Sequence, residues 1–211
     1  MDTHIIGEIS LSISFFLYIL YFLPQLWHNH ANKGNPHLSF WLQLIYVLGY
    51  SADWIYGYTA HLPWQYRWVT LIGIFALIYQ HWQMKPLDIK RIPAYFLLTT
   101  AVVTLFTFSF LFSLIPRDQL PPVAWLGTLS VFCFALAFVP QLIHNHQTRN
   151  GAAISHVFIG ITIACAVLDF ISAICLQWPW PSLVAPPLLI TLNAYCWLQQ
   201  RHFRRLPINF Y

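Results

Sequence analysis

Apolar residues run along the chain in blocks of about 20, separated by short stretches rich in Pro, Gly, Asn and charged residues. The blocks cover residues 6–28, 38–60, 65–83, 93–115, 122–145, 155–176 and 182–200. A helix rises 1.5 Å per residue, so about 20 residues span the roughly 30 Å of hydrocarbon in a bilayer. The pattern predicts seven transmembrane helices with short connections and no separate soluble domain.

A second pattern lies over the first. The stretch FLPQLWHNH at 22–30 returns as FVPQLIHNH at 138–146, with seven of nine positions identical. Sliding residues 5–83 against 121–199 without a gap matches 19 of 79 positions, which marks an internal duplication of three helices. The matches include Pro24/Pro140, Gln25/Gln141, His28/His144, Asn29/Asn145, His30/His146, Ser39/Ser155, Asp53/Asp169, Pro63/Pro179, Trp64/Trp180 and Tyr79/Tyr195. Three is an odd number, so a direct repeat of three helices would insert upside down. A fourth, unpaired span restores the orientation, and the two bundles run the same way through the membrane. The predicted fold is an all-α membrane protein, two parallel three-helix bundles joined by a linking helix (3+1+3). The first repeat covers 1–85, the linker with the fourth span 86–120, the second repeat 121–200, and a basic tail 201–211.

Composition agrees. Of 211 residues, 58% are hydrophobic and 8% charged, and mean hydropathy is +0.59, whereas soluble domains carry about 25% charge. The net charge of +4 comes from basic residues scattered between apolar blocks, a distribution that excludes a nucleic-acid-binding patch. With the N-terminus outside, Lys33, Lys85, Lys90, Arg91, Arg149, Arg201, Arg204 and Arg205 fall on the inner side, and Arg67 and Arg117 on the outer. This positive-inside bias predicts an outer N-terminus and a cytoplasmic C-terminus. The acidic start MDTHIIGEIS does not resemble a cleavable signal. No N-x-[ST] sequon occurs, which favours a bacterial inner membrane over a lysosomal-type one. Cys133, Cys165, Cys175 and Cys196 all lie in apolar blocks without CxxC spacing and are expected to be reduced and buried.

Proline lacks an N–H and crowds the carbonyl four residues back. Pro24 therefore frees the carbonyl of Leu20, and Pro140 that of Leu136. In hydrocarbon, such groups need polar neighbours or a water-lined cavity. Pro24, Gln25, Pro140 and Gln141 are accordingly expected to form a hinge in each repeat, each glutamine bonding freed backbone or a neighbouring helix. The HNH triplets are expected at the inner boundary rather than around a metal, because residues i and i+2 of a helix point to different sides. Trp27, Trp64, Trp68, Trp82, Trp178 and Trp180, near span ends, read as an interfacial aromatic belt.

Asp53 and Asp169 are the only acidic residues deep within spans. An ionised side chain at the bilayer centre is unfavourable by at least about 2.5 kcal/mol and is by default functional. Asp53 has Tyr46, Tyr50, Trp54 and Tyr56 as sequence neighbours, and Asp169 has Cys165, Ala166, Ser172 and Ala173. The richer π surroundings make Asp53 the expected contact for a cationic substrate, aided by Tyr46, Tyr50 and Trp54, and Asp169 the expected proton site. Two carboxylates on one cavity would titrate as a coupled pair. No nucleophile–base pair or metal motif lies in the spans, so an enzyme is not expected and no cofactor is implied.

Two Pro-Gln pairs in register with a duplicated three-helix unit resemble the PQ-loop family, which includes the SWEET sugar carriers, their single-bundle SemiSWEET relatives, and the lysosomal cystine and cationic amino-acid exporters. The resemblance covers essentially the whole chain and includes the serine opening the second helix of each repeat. It implies carrier transport of a small polar solute, often proton-coupled outside the sugar branch. Each aspartate stands 14 residues after that serine, where SemiSWEETs resemble one another in a pocket tryptophan. The pocket asparagine of the third helix is replaced by Val69 and Ala185; Asn193, two turns further on, is expected to join the substrate site in its place. These departures point away from sugar. The aspartate offset also differs from that of the cystine carrier. The expected function is a secondary transporter of a cationic amino acid or amine, with protons and the bilayer as its other partners. The alternatives are a SWEET-like sugar uniporter and a non-transporting membrane scaffold.

Overall fold

The computed structural model describes residues 2–32, 39–83, 124–149 and 153–205. The expected fourth span, 93–115, and the linker 86–120 lie outside the described residues. All regular structure among the described residues is helical: α1 (Thr3–Tyr21), α2 (Leu23–Ala31), α3 (Phe40–Thr59), α4 (Trp64–Gln83), α5 (Ala124–Thr148), α6 (His156–Cys175) and α7 (Trp180–Arg205). The ends fall within a few residues of the apolar blocks, because helix length in both cases follows hydrocarbon thickness.

Four of these stretches, Thr3–Ala31, Trp125–Thr148, His156–Cys175 and Trp180–Phe203, are long and apolar enough to cross a membrane. Helices α3 and α4 are each 20 residues long but more polar. Their polar side chains face inward: Gln43, Ser51, Asp53, Thr70 and Gln80 are buried. Large apolar side chains point outward instead, including Trp27 at 76% and Trp82 at 78% exposure. Polar residues inside and apolar ones outside suit a chain solvated by lipid.

The two prolines of the repeated motif act differently. Before Pro24 the first rod is interrupted at Phe22, giving α1 and α2. Helix α5 continues through Pro140. Phe22 keeps right-handed helical angles (φ −76°, ψ −24°), so α2 carries on from α1 past a local break.

The repeats interlock. The most extensive packing joins α3 to α5 and α1 to α6, so each repeat's second helix lies against the other repeat's first. Within each repeat, the third helix touches both of the others: α4 packs on α3 and α1, and α7 on α6 and α5. Small residues allow close approach. A Cβ on Gly49 of α3 would lie 2.9 Å from Cβ of Cys133 on α5, and one on Gly7 of α1 would lie 2.9 Å from Cβ of Cys175 on α6.

The hairpins joining the second and third helices of each repeat are built alike. His61 and Gln177 both adopt left-handed angles, each with φ 55°. Leu62 N–H donates to the Gly57 carbonyl (3.0 Å) and His61 N–H to Tyr58 (3.3 Å). Trp178 N–H donates to Ala173 (2.9 Å) and Gln177 N–H to Ile174 (3.3 Å). These are Schellman closures, whose next residue packs back on the helix. Leu62 and Trp178 occupy that place and are buried in one core cluster with Ala173. Trp178 is therefore not part of an aromatic belt, as its position near a span end suggested; the turn folds it inward against Tyr66, ring centroids 5.5 Å apart.

Both left-handed positions carry side chains where glycine is free of the Cβ penalty. His61→Gly and Gln177→Gly should each stabilise the fold by about 1 kcal/mol, read as a raised midpoint of thermal unfolding in detergent. A lowered midpoint would mean that the side chains contribute more than the backbone strain removes.

Candidate functional site

Both mid-span aspartates line one cavity of about 80 Å³ between the repeats, ample for several waters or the polar end of a small solute. Tyr46, Tyr50 and Asp53 of α3, Tyr66 and Thr70 of α4, Ser14 and Tyr18 of α1, Phe134 of α5, Thr162 and Asp169 of α6, and Ser182 and Pro186 of α7 contribute to its wall. Glycine lets the rings in. A Cβ at Gly73 would meet the Tyr50 ring at 2.7 Å, and one at Gly57 the Tyr66 ring at 2.9 Å.

Each aspartate is held by the other repeat. Ser130 of α5 donates to Asp53 Oδ1 (3.0 Å), and Ser14 of α1 donates to Asp169 Oδ1 (2.5 Å). Ser14 and Ser130 are equivalent in the 116-residue offset. The remaining donors differ. Asp53 also accepts from Tyr66 (2.6 Å) and Thr70 (3.4 Å) of its own repeat, whereas Asp169 accepts from Tyr18 of α1 (2.7 Å). Asp53 is buried, with 7% exposure, and Asp169 is half-buried. The carboxylates thus differ in the opposite sense from their sequence neighbours: Asp53 is the more enclosed and the more fully bonded.

Of the other expected site residues, Tyr46 and Tyr50 line the cavity. Trp54 does not; it is half-buried and packs against the outer core cluster, because a residue next to Asp53 on a helix points about 100° away from it. Asn193 is also outside the wall. It is fully buried, and its Nδ2 donates to the Leu189 carbonyl one turn back on α7 (2.8 Å).

The glutamines lie further along the repeat boundary and make a matched pair of clamps. Gln25 Nε2 donates to the Ala153 carbonyl (3.1 Å), while its Oε1 accepts from Ser155 N–H (2.8 Å). Gln141 Oε1 accepts from Ser39 N–H (2.7 Å). Ser39 and Ser155 are the N-cap residues of α3 and α6, and neither makes a side-chain cap bond. Each glutamine thus bonds to the start of the other repeat's second helix, where backbone N–H groups have no helical partner. Behind it, Gln25 and Gln141 donate to Asn29 (2.8 Å) and Asn145 (2.7 Å). Those asparagines in turn donate to Gln83 (3.4 Å) and Gln199 (3.2 Å), which donate to the carbonyls of Leu26 and Leu142. In each HNH triplet the asparagine is buried, the first histidine half-buried and the second exposed.

Residues 6–66 and 123–182 each match the model of the PQ-loop repeat, together more than half of the chain. The chain belongs to the PQ-loop family. It is an integral membrane protein with two copies of the PQ-loop repeat. No curated protein matches it at a significant level.

The PQ-loop repeat boundaries enclose both serine–aspartate pairs and both glutamine clamps. Between cavity and clamps lies a layer of rings, with Tyr21 stacked on Phe158 (4.7 Å) and Tyr46 edge-on to Phe138 (5.7 Å). Sequence reasoning missed Ser14, Ser130, Tyr18, Tyr66 and Thr70. Ser14/Ser130 was visible as an identity in the repeat alignment, but a serine in an apolar block carries no chemical signal alone. Among the described residues, no group of three His, Cys, Asp or Glu could hold a metal.

Replacing Gln25 or Gln141 by methionine keeps the length but leaves a buried N–H of the facing helix unpaired. Each change should lower stability by about 1–3 kcal/mol, seen as an earlier unfolding midpoint in detergent. A shift of less than about 0.5 kcal/mol would mean that water replaces the clamp.

Proposed function

We propose that this PQ-loop protein is a secondary carrier for a small polar solute with a cationic group, an amino acid or amine, working by alternating access with proton coupling. One observation carries the reading. Two carboxylates, one from each repeat, line a single cavity whose described wall holds no Lys, Arg or His. Hydroxyl donors stabilise the carboxylates but do not neutralise them, and a charge at membrane depth requires a counter-charge or a proton. A cationic solute and a proton are then alternative occupants, and their competition links the two movements.

Asp169, more accessible and bonded only to α1, is the better placed to meet the solute. Asp53, enclosed by three hydroxyls, is the better placed to carry the proton. This reverses the division suggested by sequence neighbours. The aromatic wall (Tyr46, Tyr50) supports cation–π contact. Breaking and remaking the glutamine clamps near Pro24 and Pro140 offers a route for opening the inner end. The remaining architecture is the 3+1+3 arrangement of seven spans, with the N-terminus outside and the C-terminus cytoplasmic, in a bacterial inner membrane.

Reconstituted in vesicles, the protein should take up labelled lysine or a small amine faster under an imposed pH gradient. Asp169→Asn should lower apparent affinity by tenfold or more, and Asp53→Asn should remove the dependence on pH. Flux of sugars indifferent to pH would replace this reading with a sugar uniporter, and absence of flux across amino acids, amines and sugars would favour a scaffold.

Topology is checked separately by labelling single cysteines placed at 30–37 and 201–205. Both sets should react from the cytoplasmic side; reaction from opposite sides would overturn the duplicated arrangement.

A further inference from the structure

The two repeats surround their aspartates with equivalent elements but not with equivalent groups. Beside Asp53, the third helix of its repeat supplies the hydroxyls of Tyr66 and Thr70 (2.6 and 3.4 Å). The 116-residue offset puts Ser182 and Pro186 at the same places in α7, and both line the cavity together with Asp169. Neither donates to Asp169, whose hydrogen bonds come from Ser14 and Tyr18 on α1. The Ser182 hydroxyl faces Tyr56 instead (3.4 Å). Where a tyrosine ring and its hydroxyl reach Asp53, a serine leaves room beside Asp169.

Proline at 186 changes the polarity of this wall as well. Helix α7 runs through Pro186 and Pro187. A helical carbonyl points along the axis towards the amide four residues on, and proline has none. The Ser182 carbonyl therefore lacks its i+4 helical partner, and the two residues concerned, Ser182 and Pro186, both line the cavity. In a membrane, a freed acceptor of this kind takes a donor from a neighbouring group, from water or from a bound solute. On this side the two third-helix positions give Asp169 no donor, and the carbonyl freed by Pro186 is an acceptor near a carboxylate. On the Asp53 side, the same helix positions offer donors.

We infer that the cavity contains a primary-ammonium subsite between the Asp169 carboxylate and the Ser182 carbonyl, beside Pro186 of α7. It rests on the function proposed above and narrows it to solutes whose cation carries N–H donors. An ammonium is compact and presents three donors in different directions, matching acceptors that come from two different helices. A planar guanidinium fork is matched best by both oxygens of one carboxylate in line, whereas the acceptors here are one carboxylate and one carbonyl on different helices. A quaternary ammonium has charge but nothing to donate to the carbonyl.

The test uses the full chain in detergent, with thermal unfolding measured against lysine, cadaverine and Nε-trimethyl-lysine. Lysine or cadaverine should raise the unfolding midpoint of the parent, and both should bind at least tenfold more tightly to it than to Pro186→Ala, whose restored amide takes the Ser182 carbonyl. Ser182→Tyr, which supplies Asp169 with the hydroxyl that Asp53 has, should remove the shift. His61→Gly, away from the cavity, serves as the control for altered stability alone and should bind like the parent. Trimethylation of the side-chain amine should weaken binding at least tenfold. Equal binding of lysine and its trimethyl form would overturn the subsite while leaving cation transport intact. Parent-like binding by both Pro186→Ala and Ser182→Tyr would do the same, and either variant decides the matter if the other does not fold. If none of the three compounds stabilises the parent, the subsite and the proposed function fall together.

Discussion

A backbone group that leaves a helix inside a bilayer must find its partner within the protein, because lipid offers none. A transmembrane helix that starts within the protein meets this constraint, since its first N–H groups have no helical carbonyl to bond. In this chain the requirement is met across the repeat boundary. Gln25 presents a carboxamide, in effect a detached peptide group, to both the Ser155 N–H and the Ala153 carbonyl, and Gln141 takes the Ser39 N–H. The exchange is reciprocal, and it makes each repeat's second helix depend on the other repeat's first.

The position of the site follows from that exchange. With α3 held against α5 and α6 against α1, the mid-helix aspartates come to face serines of the opposite repeat. Both then reach one cavity rather than two. The same contacts that hold the halves together also bear on the charged groups, so any movement that opens the repeat boundary also changes the environment of the carboxylates. The link between cavity and scaffold is built from hydrogen bonds of 2.5–3.1 Å.

Duplication supplies the frame, and divergence supplies the polarity within it. Tyr18 faces Asp169, while its counterpart Phe134 has no hydroxyl for Asp53; Tyr66 and Thr70 face Asp53, while their counterparts are Ser182 and Pro186. A symmetric cavity would hold its two carboxylates in equal surroundings and give no basis for separate roles. The changed hydroxyls leave Asp53 with three donors and Asp169 with two.

The amino-acid sequence alone determined the helical class, the positions of the described spans and the duplication, because these follow from local hydropathy, helix rise and identity at a fixed offset. It also marked Asp53, Asp169, Gln25 and Gln141, since polar groups in apolar blocks stand out against their background. What it could not determine was which side chains meet. Trp54 lies beside Asp53 in sequence and away from the cavity in space, Asn193 bonds its own helix, and Trp178 turns inward because a left-handed Gln177 closes the hairpin behind it. Ser14 and Ser130 gained a role only when each was packed beside an aspartate of the other repeat, 155 and 77 residues away in sequence. Local chemistry decides what can lie in a membrane; the register between packed helices decides which partner each buried polar group finds, and that register is a property of the tertiary structure.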